Sequence, residues 1–107
     1  MRRVAQVIAL PAENAAEYER LHAAVWPAVL ARLAASGIRN YSIYRHGELL
    51  FSYFEYVGDD YDADVAAIAA DPETQRWWQL TDPLQRRVPE AADGEWWHPL
   101  TEVFHAD

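Results

Sequence analysis

The sequence predicts an α+β fold in the order β-α-β-β-α-β, an antiparallel sheet with its helices on one face. Three observations predict it. Runs rich in β-branched and aromatic residues stand near both ends and in the middle of the chain. Two segments of helical periodicity separate them. Each junction carries a Gly, Pro or Asp of the kind that stops one element or starts the next.

The elements follow in order. Arg3–Leu10 (RVAQVIAL) reads as a strand, stopped by Pro11. Glu13 or Asn14 opens a long helix to about Ala35, with Gly37 as its C-terminal stop. Pro27 lacks an amide hydrogen, so it is expected to kink or interrupt that helix. Arg39–Arg45 and Leu49–Val57 read as strands, and His46-Gly47-Glu48 between them suits a tight hairpin. Gly58-Asp59-Asp60 breaks the second of these. Tyr61–Ala70 reads as a helix with Tyr61, Val65, Ile68 and Ala69 on one face. Asp71-Pro72 then restarts a helix, with Asp as N-cap and Pro at the first helical position. Pro83 and Pro89 bracket an irregular stretch, and Leu100–His105 (LTEVFH) is expected to be the last strand. This order is the ferredoxin-like plan, built as one domain over residues 1–107.

In Leu49–Val57 both alternating faces are apolar or aromatic, Leu49, Phe51, Tyr53 and Val57 against Leu50, Phe54 and Tyr56. Helices can cover one of them. A second subunit on the other face makes the expected assembly a homodimer.

Composition removes whole classes of chemistry. The formal net charge of −8 repels phosphate backbones and anionic lipid, so neither nucleic acid nor a membrane surface is an expected partner. No apolar run approaches a membrane span, no leader peptide is visible at Met1-Arg2-Arg3-Val4, and a cytoplasmic location is expected. There is no cysteine, hence no disulfide or thiol nucleophile, and no lysine, hence no Schiff base from a side chain. The four glycines stand too far apart for a phosphate loop. The four histidines show no metal-binding pair at helical spacing. Asp60–Asp64 begins like a calcium loop but has Val65 where the turn requires Gly, and it is read as a solvated helix start. No cofactor or metal is expected.

The first helix carries the chemistry that survives. With Tyr18 at 0°, His22 falls near 40°, Val25 near −20°, Val29 near 20° and Leu33 near 60°, taking roughly 100° per residue. His22 therefore lies inside an apolar stripe with Tyr18 one turn before it and Trp26 one turn after. A lone His on an apolar face is most often a hydrogen-bonded core residue. The nearby Tyr, the spare aromatics and an imidazole pKa suited to proton transfer weigh the other way. The residues leave two readings standing, cofactor-free acid–base catalysis and binding without chemistry.

Four blocks carry a resemblance. They are Glu17-Tyr18-Glu19-Arg20-Leu21-His22 with Trp26-Pro27, Asn40-Tyr41-Ser42-Ile43-Tyr44, Gln75-Arg76-Trp77-Trp78 with Thr81-Asp82, and Glu102-Val103-Phe104. In this order and spacing the chain resembles the L-rhamnose mutarotase family along almost its whole length. The resemblance implies a dimeric α/β barrel of ferredoxin-like subunits that interconverts the α and β anomers of a free deoxy-sugar without metal or nucleotide. It implies that His22 is the proton donor and that Tyr18, Tyr41, Trp77 and Trp78 bind the sugar. Trp77 is expected to share a helix face with Leu80, which makes core filling its stronger role. If the sugar lies between helix and sheet, Tyr41 must share the helix-facing side of its strand with Arg39 and Ile43. Pro83–Pro99 and Asp60–Ala70 depart from the family pattern, and Trp96-Trp97-His98 is added. Loops tune substrate choice, so L-fucose or another related pyranose is an alternative. A cofactor-free monooxygenase or a non-catalytic metabolite-binding module on the same fold are the others.

Overall fold

A computed structural model describes residues Met1–Asp107. The elements are β1 (Arg2–Ala9), α1 (Ala15–His22), α2 (Pro27–Ala35), β2 (Ile38–His46), β3 (Leu49–Tyr56), α3 (Tyr61–Ala70), α4 (Pro72–Thr81) and β4 (His98–Pro99). A 3-10 turn at Ala12–Asn14 leads into α1 and another at Asp82–Leu84 leaves α4. The four strands form one antiparallel sheet in the order β2-β3-β1-β4, which is the ferredoxin-like topology predicted.

The long first helix is broken where Pro27 requires it. Trp26, extended at φ −62° and ψ 134°, precedes Pro27 at the first position of α2, because proline disfavours the helical conformation in the residue before it. α1 thus ends at His22 and its last turn is free to face the sheet. Gly37 closes α2 at φ +80°. A Cβ there would stand 3.0 Å from the Gly58 nitrogen, so both the backbone angle and the close approach select glycine. Gly47 takes φ +57° as the first central residue of the β2–β3 hairpin, where a two-residue loop needs it. Asp60 and Asp71 cap α3 and α4 by accepting from the amides of Ala63 and Thr74.

Strand alternation sorts β3 cleanly. Leu50, Ser52, Phe54 and Tyr56 are buried, while Leu49, Phe51, Tyr53 and Glu55 are half-buried on the other side. The buried side joins two core clusters. Ile8, Leu10, Tyr18 and Leu50 form one, and Ile38, Phe54, Tyr56 and Ile68 the other. α1 covers the first, and α2 and α3 cover the second through Leu33 and Ile68.

Four expectations are corrected. The last strand is His98–Pro99 rather than Leu100–His105. The Leu100 amide still donates to the Ala5 carbonyl at 2.8 Å and Glu102 pairs with Arg3 at 2.7 Å, but the backbone beyond makes no ladder. Alternation supplies strand propensity, whereas a strand must also stay within bonding reach of its neighbour, and past Leu100 the backbone leaves the edge of β1, which runs on to Arg2. On α3, Val65 and Ala69 face outward and Tyr61, Asp64 and Ile68 face inward, Asp64 accepting a hydrogen bond from Tyr56. On α4, Leu80 is exposed and Thr74, Trp77 and Thr81 form the buried face. Arg39 does not share a side with Tyr41. A β-bulge places Asn40 and Tyr41 together between the pairs Arg39–Glu55 and Ser42–Tyr53, with Asn40 at φ +51°. The extra residue shifts the alternation by one, so Ile38 and Tyr41 face the helices and Arg39 stands opposite Glu55 on the other side.

Candidate active site

The site gathers at the end of α1. His22 stacks on Tyr18 with ring centroids 4.1 Å apart and planes at 22°. Consecutive turns of a helix put these two side chains one above the other. Trp77 of α4 meets His22 edge-on at 5.3 Å and Trp26 edge-on at 5.3 Å. The Pro27 break lets Trp26 leave the helical path and wall this corner.

The tautomer of His22 follows from its partner. Its Nδ1 lies 2.9 Å from the Tyr18 carbonyl oxygen. A carbonyl only accepts, so Nδ1 carries the hydrogen, and neutral imidazole presents its lone pair at Nε2. Burial pushes the His22 pKa below its ordinary value, opposed by the hydrogen bond to the Tyr18 carbonyl. Near neutrality His22 is thus a proton acceptor at Nε2, and its conjugate acid is a donor there. Tyr18 is buried, and desolvation raises its pKa, so the phenol keeps its proton.

A cavity of about 260 Å³ opens between α1 and β2. Tyr18, Glu19, His22 and Ala23 line one wall, and Ile43, Tyr44, Arg45 and Leu50 the other. The Arg45 guanidinium pairs with Glu19 at 3.1 Å across its mouth. Ser52 lies on the same sheet face, between Leu50 and Phe54, and its Oγ is buried without a hydrogen-bond partner. It adds a polar point between the two apolar clusters.

The structure unites some of the expected residues and separates others. Tyr18, His22 and Trp77 touch. Tyr41 is on the helix-facing side, as the pocket between helix and sheet requires, and packs on Phe54 at 5.4 Å. Solvent reaches 42 % of the residue, and desolvation of the phenol raises its pKa. Tyr41 does not line the cavity, but its phenol is near enough to Tyr18 that their charges would repel. Trp78 is 37 % exposed and makes no ring contact with this group, because adjacent helical residues point about 100° apart. Sequence reasoning did not single out Gln85, which is 3 % exposed and hydrogen-bonds both Tyr18 and Trp96. Its neighbours Pro83 and Pro89 marked an irregular segment, and nothing local distinguishes a buried glutamine in a loop from a solvated one.

Comparison with known proteins decides the family. The model of the family described as L-rhamnose mutarotase matches residues 3–106. The chain belongs to the L-rhamnose mutarotase family. With it, the chain belongs to the isomerases. An L-rhamnose mutarotase of Opitutus terrae is 39% identical over 111 residues, covering 100% of both chains. An L-fucose mutarotase of Xanthomonas campestris pv. campestris is 38% identical, covering 97% of this chain and 87% of its own length. Among solved structures, an L-rhamnose mutarotase from Formosa agariphila superposes with a TM-score of 0.79 at 23% identity over 100% of both chains. A type-II polyketide cyclase from Streptomyces glaucescens gives 0.67 at 17% identity, also over 100% of both. These two structures share the fold.

Proposed function

We propose that this mutarotase-family chain interconverts the α and β anomers of a free 6-deoxy-sugar such as L-rhamnose by cofactor-free acid–base catalysis, with the cytoplasm as its place of action. One observation carries the catalytic assignment. His22 is fixed by the Tyr18 carbonyl in the tautomer that leaves Nε2 as an acceptor, on the wall of a cavity. Mutarotation needs such a group. The anomeric hydroxyl loses its proton to Nε2 while the bond between anomeric carbon and ring oxygen breaks, and the same proton passes to the ring oxygen. The aldehyde rotates, and closure on its other face runs the transfers in reverse, returning His22 to its neutral form. Tyr18 holds a hydroxyl of the sugar, and Trp77 offers an apolar edge behind the imidazole. Tyr41 and Trp78 are the further proposed sugar contacts, Tyr41 on the sheet side and Trp78 at the rim.

The choice between L-rhamnose and L-fucose is open to direct measurement, since relatives named for each stand at nearly equal identity. NMR saturation transfer between the anomers of L-rhamnose and of L-fucose, with and without protein, tests the proposal. Faster exchange of at least one sugar is expected, and His22→Asn is expected to remove it by a factor of about 10²–10⁴. Exchange retained in folded His22→Asn would refute the assignment. Sugar-induced change in Trp fluorescence without faster exchange would make the chain a binder.

The enzyme is further proposed to be a homodimer joined through its sheets. By register Ala5, Val7, Tyr44, Phe51 and Tyr53 share the face that the helices leave open. Beside it, Val103 and Phe104 stand 94 % and 75 % exposed. Pairing two such faces about a two-fold axis covers both copies with one self-complementary contact, and gives the tail Thr101–Asp107 a neighbouring surface.

A further inference from the structure

Gln85 sits where the first 3-10 bond after Asp82 ends, in the irregular segment between Pro83 and Pro89. Its side-chain amide is buried between two rings. Nε2 donates to the Tyr18 hydroxyl at 3.3 Å, and Oε1 accepts from Trp96 Nε1 at 3.3 Å. The orientation of that amide is dictated by chemistry. An indole N–H only donates, so the amide oxygen must face Trp96 and the NH₂ must face Tyr18. An NH₂ only donates in its turn, so the Tyr18 oxygen must accept. The phenol's own hydrogen is therefore directed away from Gln85, and no backbone or side-chain acceptor in the chain takes it.

From this array we infer that Gln85, held by Trp96, is a positioning residue that sets the direction of the Tyr18 hydroxyl and makes it a hydrogen-bond donor to the sugar beside the acceptor nitrogen of His22. The inference rests on the mutarotase reading. That reaction needs a proton acceptor and a hydrogen-bond donor on neighbouring oxygens of one hemiacetal. His22 and Tyr18, stacked at 4.1 Å, supply one of each only if the phenol cannot spend its hydrogen on Gln85. Tyr18 keeps its proton throughout; its O–H steadies the negative charge that grows on the ring oxygen until His22 delivers the proton there. Trp96 belongs to the added Trp96-Trp97-His98 run, so this segment acquires a task in the site: it locks the amide that locks the phenol.

The test reverses the polarity while keeping the shape. Gln85→Glu places an acceptor opposite both Trp96 and Tyr18 once its carboxyl is ionised, so the phenol turns its hydrogen inward. While that carboxyl is protonated, its O–H can still donate to Tyr18. The groups facing it are Tyr18 and the Trp96 indole, with Asp82, whose carboxyl also accepts from Trp96, beside that indole and His22 and Tyr41 beyond Tyr18. Anomer exchange by Gln85→Glu should match wild type at low pH and fall roughly tenfold, the worth of one hydrogen bond, as the new carboxyl ionises. Tyr18→Phe should remove that pH step, and the double variant should be no slower than Tyr18→Phe alone. A Gln85→Glu profile parallel to wild type, with His22→Asn inactive, overturns the inference and leaves the mutarotase reading standing. Wild-type protein that speeds no sugar's exchange overturns both. The array itself is read without turnover from the ¹H–¹⁵N resonance of the Trp96 indole. It should move upfield in Gln85→Leu and downfield in ionised Gln85→Glu; an indole resonance unmoved by Gln85→Leu overturns the inference whatever the activity.

Discussion

Removing the Trp77 indole separates the two adjacent tryptophans. Trp77 is 5 % exposed and meets two other rings, His22 and Trp26, each at 5.3 Å. Truncation of a buried Trp to Ala costs about 3–5 kcal/mol. Each lost edge-to-face pair carries ~0.5–1.5 kcal/mol of specific attraction, which places Trp77→Ala at the upper end, near 4–5 kcal/mol by the same scale. Against a domain stability of roughly 5–15 kcal/mol this is a large share. For a domain of this size it corresponds to a fall in Tm of about 15–35 °C. Trp78 makes no ring contact and is one-third exposed, so Trp78→Ala should cost ~1 kcal/mol. Urea unfolding followed by far-UV circular dichroism compares the two, with an unchanged slope required so that the midpoints report stability. Trp77→Phe keeps an aromatic edge toward His22 and should fall between them, while retaining measurable anomer exchange. If Trp77→Ala proved no more destabilising than Trp78→Ala, the packing of α4 against the α1–α2 break would be wrong, and with it the placing of Trp77 behind His22.

The remaining expectations concern protonation and assembly. Because burial holds the His22 pKa below 6.5, exchange should rise with pH with its midpoint below 6.5; a limb that rises toward acid would contradict an Nε2 acceptor. The same depression means that the unfolded chain binds more protons between the folded pKa and 6.5. Stability is therefore full above that window and declines as pH falls through it, and His22→Asn should flatten this decline in urea midpoints. Light scattering at micromolar concentration should give about twice the chain mass of 12.3 kDa, and Phe51→Glu should give monomer, since a two-fold axis brings two new charges together. A wild-type monomer with full activity would refute the sheet-to-sheet dimer.

Trp77 and Trp78 also show how far motif reasoning reaches. Both belong to one block of the resemblance, yet helical spacing already made core filling the stronger role for Trp77, which is buried while Trp78 is exposed. Their fates part because a helix turns about 100° between them and only one direction faces the α1–α2 corner.

The sequence by itself determined the element order, the break at Pro27, the stop at Gly37, the cap at Asp71, and the pairing of Tyr18 with His22. All of these are local: a missing amide hydrogen, a positive φ, a side-chain acceptor or a spacing of four residues acts within a turn or two. What the tertiary structure decided is whatever depends on a distant partner. The bulge at Asn40 and Tyr41 is a mismatch between two strands, so Arg39 could not be placed from β2 alone. Leu100–His105 alternates like a strand but leaves β1 after the Leu100–Ala5 bond although β1 runs on to Arg2, which no property of those residues reveals. Gln85 lies 67 residues from Tyr18 in the chain. Its role arises because the fold sets it between a phenol and an indole, where burial forces every donor and acceptor to find a partner.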